Sequence, residues 1–188
     1  MRGRAAWLAM PLPGEQPWAG ATVLKAAEGE LIEIGDGRCV IVKVSPEVCD
    51  GQLQLHMEKL APRMLVPAHT HRRAAQFSIV MSGVLCFQVG DEPPHILQEG
   101  DTIWRPPGVV HAVWNPDRDR DAWQAEGTMP GSEMLGLFRA MRDRNMTREP
   151  DAPSLAEVAR PLGIFFDAAL TERIEREHGV SAARGGRQ

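Results

Sequence analysis

Two histidines one residue apart, His69-Thr70-His71, are the feature of this sequence with the clearest chemical capacity. Side chains at i and i+2 of an extended segment project to the same face, so these two imidazoles converge on one point. A third histidine, His111, ends the stretch Gly100-Asp-Thr-Ile-Trp-Arg-Pro-Pro-Gly-Val-Val-His111, in which glycine and proline shape a turn before a new strand. Neutral imidazole is the commonest metal ligand, and three of them with an oxygen donor suit iron, nickel, manganese or zinc. The expected cofactor is one divalent transition metal ion per subunit, held by His69, His71 and His111. The remaining histidines are assigned elsewhere. His56 alternates with Leu55 and Met57 and reads as structural, His95 follows Pro93-Pro94 in a hairpin, and His178 lies on a terminal helix near solvent.

Histidines this far apart in the chain can meet only if strands carry them. From Thr22 to Val113, short β-prone runs alternate with turn residues: Glu30 to Ile34, Arg38 to Val44, Gln52 to Leu60, Ala75 to Met81, Leu85 to Val89 and Val109 to Trp114. This spacing predicts an all-β sandwich or barrel. Gly35-Asp36-Gly37 and Gly90-Asp91 mark hairpin turns. The period then changes. Met134, Leu137, Phe138 and Met141 fall at helical spacing and predict a helix over 132–144. Ser154-x-x-Glu157 offers a capping box for a second helix, with Leu155, Val158, Ala159 and Leu162 as its buried stripe and Gly163 as its stop. A third helix is predicted from Asp167 or Ala168 to His178. The two helical stripes are too short to form a core of their own, so they are expected to bury against the sheet. The chain divides into an arm at 1–20, a β-barrel at 21–128 and a helical extension at 129–188, with 181–188 expected to be disordered.

Composition narrows the partners. The chain has 188 residues, 43% of them hydrophobic and 24% charged, with a net charge of −4, the balance of an ordinary globular protein. No basic stripe is present, so no nucleic-acid partner is expected. No apolar run approaches the roughly 20 residues that span a bilayer, so no membrane partner is expected either. Three cysteines without a C-x-x-C pair indicate neither a disulfide framework nor a thiolate zinc site, and a cytoplasmic location fits them. The apolar start, Ala5 to Met10, is broken by Pro11 and Pro13 and does not read as a secretory signal.

The spacing around the histidines resembles that of the cupins. Their first motif, His-x-His, then Glu after four residues, then Gly after six more, is met here by His69, His71, Gln76 and Gly83; their second is met by Gly100, Pro106, Gly108, His111 and Asn115. The resemblance covers Leu53 to Asn115. It implies an all-β, cupin-type β-barrel (a double-stranded β-helix, or jelly-roll) with a C-terminal helical extension, and makes Gln76 a weak fourth metal ligand or an amide just outside the ligand set. Two positions depart from the pattern. The glycine that opens the first motif is Arg63, and the acidic fourth ligand is Gln76, which can offer a carbonyl oxygen but neither a charge nor a base.

The resemblance further implies a metal-dependent oxygenase, similar to quercetinase-like dioxygenases, acting on an aromatic or enolisable small molecule. The alternatives are a non-redox lyase, isomerase or cyclase, and a non-catalytic small-molecule binder. Strand alternation from Gln76 predicts Ser78 and Val80 on the metal side, and from His111 it predicts Val113 and Asn115. Phe87, Trp104, Phe138 and Met141 are the expected rim or lid. These walls are mostly apolar and suit an aromatic ligand better than a free sugar. Arg72 and Arg73 read as a solvated loop, and Cys86 as a buried, inert thiol. A homodimer is expected, paired through arms and sheet edges.

Overall fold

The computed structural model describes residues 21–35, 37–143 and 155–182. The arm at 1–20, Asp36 of the first hairpin, the Ser154 cap and the tail from 183 lie outside the described residues.

The strands are β1 (Glu30–Glu33), β2 (Arg38–Val44), β3 (Gln54–Leu60), β4 (Met64–His71), β5 (Ala75–Ser82), β6 (Val84–Val89), β7 (His95–Gln98), β8 (Thr102–Arg105), β9 (His111–Trp114), β10 (Ala122–Met129), β11 (Ile164–Phe166) and β12 (Ser181–Ala182). They form two facing sheets. One runs β1-β2-β3-β10-β5-β8 and the other β11-β4-β9-β6-β7, with β12 added to β4. All pairings are antiparallel except β12 on β4. The helices are α1 (Ser132–Asp143), α2 (Leu155–Ala159) and α3 (Ala168–His178). Among the described residues, no helix is long and apolar enough to cross a membrane.

Alternation explains the first sheet. In β3 the buried side chains are Gln54, His56, Glu58 and Leu60; in β10 they include Ala122, Gln124, Glu126 and Thr128. Pairing sets them in rows across the inner face. Gln54, Thr128, Gln76 and Arg105 share one row; His56, Glu126 and Ser78 share the next; Glu58, Gln124 and Val80 the third. The apolar floor of the barrel lies beyond these rows, where Leu60, Met64, Val66, Val80, Leu85, Phe87, Val113 and Ala122 pack together.

The helices bury against the sheets, as their stripes predict. Met134, Leu135, Leu137 and Phe138 of α1 meet Ile32 of β1, Ile34 just past it, and Val40 and Val42 of β2, with Ala159 and Ile164 completing the cluster. Close approach at the start of α1 needs glycine: a Cβ on Gly131 would lie 2.3 Å from the Gln54 backbone nitrogen. The third helix has both its stops. The Asp167 side chain accepts from the Leu170 N–H at 2.9 Å, and Gly179 takes a left-handed φ of 61° after the last turn.

Several boundaries differ from expectation. β3 starts at Gln54 and β9 at His111, two residues later than the β-prone runs suggest. Ser181 and Ala182, expected in the disordered tail, pair with Met64 and Leu65. Strands that lie outside the predicted β-prone runs have physical reasons. β4 is buried on both faces and contains Pro67, so it shows no alternation; β7 is short and mostly exposed; β10 turns polar residues inward, inverting the usual pattern.

Candidate metal centre

His69 and His111 face each other directly across the β4–β9 pairing. His71 follows two residues along β4, so all three rings meet, with ring centroids 4.5 Å apart for His69 and His111, 5.0 Å for His69 and His71, and 5.6 Å for His71 and His111. One nitrogen from each lies within 4.8 Å of the others, and all three residues are buried. The β4–β9 register slips between Val66 and His69, at Pro67, and bulges of this kind re-aim side chains.

Backbone carbonyls set the tautomers. His69 Nδ1 lies 2.7 Å from the Pro67 carbonyl and His111 Nδ1 lies 3.0 Å from that of Val109, so each donates its Nδ1–H and leaves an Nε2 lone pair facing its neighbours. His111 Nε2 and both nitrogens of His71 are buried without a hydrogen-bond partner. Burial lowers the His69 pKa to about 4, and burial together with the neighbouring His69 and Arg105 charges holds His71 and His111 far below the ordinary value of 6.5. The three imidazoles are neutral at pH 7. Orphaned, converging, neutral nitrogen donors fit a divalent transition metal.

Facing them from the other sheet is a buried polar layer. Gln76 donates from Nε2 to Glu126 Oε1 at 3.1 Å and to Thr128 Oγ1 at 3.4 Å, which leaves its Oε1 buried and unpartnered. Arg105, 1% exposed, donates from Nη2 to Glu126 Oε2 at 2.9 Å and to Ser78 Oγ at 2.7 Å, and its guanidinium lies 5.3 Å from the centre of the Phe87 ring. The Ser78 hydroxyl donates to Glu126 Oε2 at 3.3 Å. Burial alone would raise the Glu126 pKa; the charge and hydrogen bond of Arg105 overcome it and hold the carboxyl below the usual range. Glu126 is therefore an ionised carboxylate whose charge reaches His69. Next to it, the fully buried His56 accepts from Gln54 Nε2 at its Nδ1 (3.0 Å) and points Nε2 toward Glu126 Oε1, 3.9 Å away. Deeper still, Arg38 and Glu58 pair, with Gln124 donating to Glu58.

The residues expected around the metal have different placements. Ser78 and Gln76 join the polar layer. Val80, Phe87 and Val113 lie in the apolar floor. Trp104 is 55% exposed, because Arg105 takes the inward position on β8 and the residue before it must point out. Asn115 holds a turn: it donates to the carbonyls of Leu60 and Arg120 and accepts from the Asp117 N–H. Phe138 packs edge-on against His56, 5.1 Å between centroids, and Met141 is half-buried in the helix cluster behind it. The interior thus combines a polar layer with the apolar floor, because β3 and β10 contribute polar residues that alternation on β5 and β9 alone does not reveal. Arg73 is tied to Glu133 at the start of α1, and Cys86 is buried with its pKa raised by burial to about 11.

Four residues of this neighbourhood escape sequence reasoning: Arg105, Glu126, Thr128 and Phe166. β11 pairs beside β4, opposite β9, placing Phe166 level with His69 at 5.7 Å between centroids. The every-other-residue polar series Gln124, Glu126, Thr128 is the signal that could have exposed β10.

Residues 56–122 match the Cupin domain family. Among solved structures, KdgF from Halomonas sp. is similar over 62% of this chain and 99% of its own, with 16% identity and a TM-score of 0.54. An RmlC-like cupin from Shewanella frigidimarina aligns over 62% and 96%, with 20% identity and a TM-score of 0.52. A cupin-like protein from Thermotoga maritima aligns over 85% and 97%, with 19% identity and a TM-score of 0.51. At such identities the likeness is one of fold. No protein of curated function matches the sequence. The match over residues 56–122 thus lies within a mostly β cupin fold that has a helical C-terminal part. Its buried His69, His71 and His111 form a group that could hold a metal ion.

Proposed function

We propose that this protein is a metal-dependent enzyme that acts on a small, oxygen-rich molecule by proton transfer, in the manner of a lyase or isomerase. The observation that carries the reading is the ionised Glu126 carboxylate, buried with Arg105 in a polar layer that faces the three neutral histidines. His69, His71 and His111 would hold the ion, with the free Gln76 carbonyl oxygen as fourth donor. A divalent ion there supplies a Lewis acid that polarises a substrate oxygen. Glu126 would accept a proton from the substrate beside that oxygen and release it again with the product, so that the carboxylate paired with Arg105 is restored in the resting site. The Arg105 Nε–H, buried and without a partner, is a donor for a substrate oxygen. The Gln54 and Gln124 carbonyl oxygens, also unpartnered, would accept from substrate hydroxyls.

A quercetinase-like dioxygenase is the second reading. It is favoured by the all-neutral donor set and by the aromatic Phe166 ring against His69. Metal analysis followed by two parallel screens separates the readings. Solvent-deuterium incorporation into hydroxy and keto acids without oxygen consumption supports proton transfer. Oxygen uptake with polyphenols or diketones supports the oxygenase and would displace the first reading, and a metal-free protein that binds without turnover would displace both. A homodimer is part of the proposal: among the described residues β1 is the last strand of its sheet, with Leu31 55% exposed, and sedimentation equilibrium tests it. The three free cysteines support a cytoplasmic setting.

A further inference from the structure

The donor set presents a charge problem. Three neutral imidazoles and a carboxamide bring no negative charge to a divalent ion, and the buried Arg105 guanidinium in the same polar layer is itself a cation. We propose that Glu126, on the strand beside Gln76, carries the negative charge that lets this neutral ligand set hold a divalent cation, acting as a positioning residue through Gln76 and not as a ligand.

The geometry supports this in three ways. Glu126 is one strand over from Gln76, in the row that also holds Ser78. Its Oε2 takes the Arg105 hydrogen bond, so the guanidinium is balanced within the layer. Its Oε1 accepts from the Gln76 amide nitrogen, which fixes the amide so that Oε1 of Gln76 is the atom left free. The other buried carboxylate of this sheet, Glu58, is committed to Arg38 and Gln124 one row further down. Remove the Glu126 charge and an incoming ion would meet Arg105 uncompensated, with a ligand amide no longer oriented.

The proposal rests on the metal reading, and the test keeps the two apart. Calorimetric titration of the metal-free protein with Zn2+ alone is compared for wild type, Glu126→Gln, Glu126→Asp and the charge-exchanged Gln76→Glu/Glu126→Gln, with circular dichroism as the check on folding. Glu126→Gln should weaken Zn2+ binding roughly tenfold or more, while Glu126→Asp and the charge-exchanged protein should stay within about threefold of wild type. If Glu126→Gln does not fold, Glu126→Asp and the charge-exchanged protein decide the matter: a loss of more than about tenfold in the exchanged protein overturns the proposal. Equal affinity in wild type and Glu126→Gln also overturns it, with the metal site intact. Absence of Zn2+ binding in wild type overturns the metal reading itself.

Discussion

Acid should begin to destabilise the metal-free protein before the buried Glu126 carboxylate takes up a proton. His69 is held neutral by burial, and the interval between its folded pKa of about 4 and the ordinary 6.5 corresponds to about 3 kcal/mol. The folded value is depressed, so the unfolded chain takes the proton first. Stability is therefore highest above pH 6.5 and falls as the pH drops from 6.5 toward 4. His71, His111 and His56 are lowered in the same direction and add to the loss. Carboxylates act in a different window: Glu126 and Glu30 are lowered below the ordinary 4.5, so what they contribute is lost only as the pH falls beneath that value. A domain of this kind has about 5–15 kcal/mol in total, so the histidine share alone should be visible. Urea unfolding of chelator-treated protein at several pH values between about 8 and 5 reads it as a falling midpoint at constant slope. A midpoint that stays flat across that range would refute the buried neutral imidazoles, and with them the geometry of the site.

Other outcomes follow from particular contacts. Asn115→Ala strands the buried Leu60 carbonyl and frees the turn after β9, and should cost about 1–3 kcal/mol in thermal or chemical unfolding without changing metal affinity. Gly131→Ala drives a Cβ into the Gln54 backbone and should lower stability by about 1–3 kcal/mol, read from the urea midpoint. Trp104→Ala removes an exposed ring and should leave metal affinity unchanged and stability within about 0.5 kcal/mol. A chain ending at Thr128 exposes Ile32, Val40 and Val42 and should bind a hydrophobic dye or aggregate; a monodisperse product with unchanged melting would contradict the packing of α1.

The part of this protein written most openly in its sequence is the histidine cluster. A period of two placed His69 and His71 on one face, and the turn residues before His111 announced the strand that meets them. The α1 stripe was legible for the same reason, since one apolar face needs one apolar partner. Glu126 and Arg105 were hidden because their burial depends on pairing. An acidic residue on a strand ordinarily faces water, and it turns inward here only because β3, β5 and β8 bring partners to the same rows. Alternation also says which face a side chain takes but not how far along the barrel it lies. Val80 and Val113 share a face with Gln76 and His111, yet they belong to the apolar floor. Asn115 lies past the end of β9, where alternation no longer applies.

Metal content is the most direct test of the central claim. Purified wild-type protein and His71→Ala, loaded with a divalent transition metal and freed of excess, are compared by elemental analysis. The buried triad predicts about one ion per chain in wild type and loss of most of it in the variant, whose fold is checked by circular dichroism. Equal metal in both proteins, or none in wild type after loading, would contradict it.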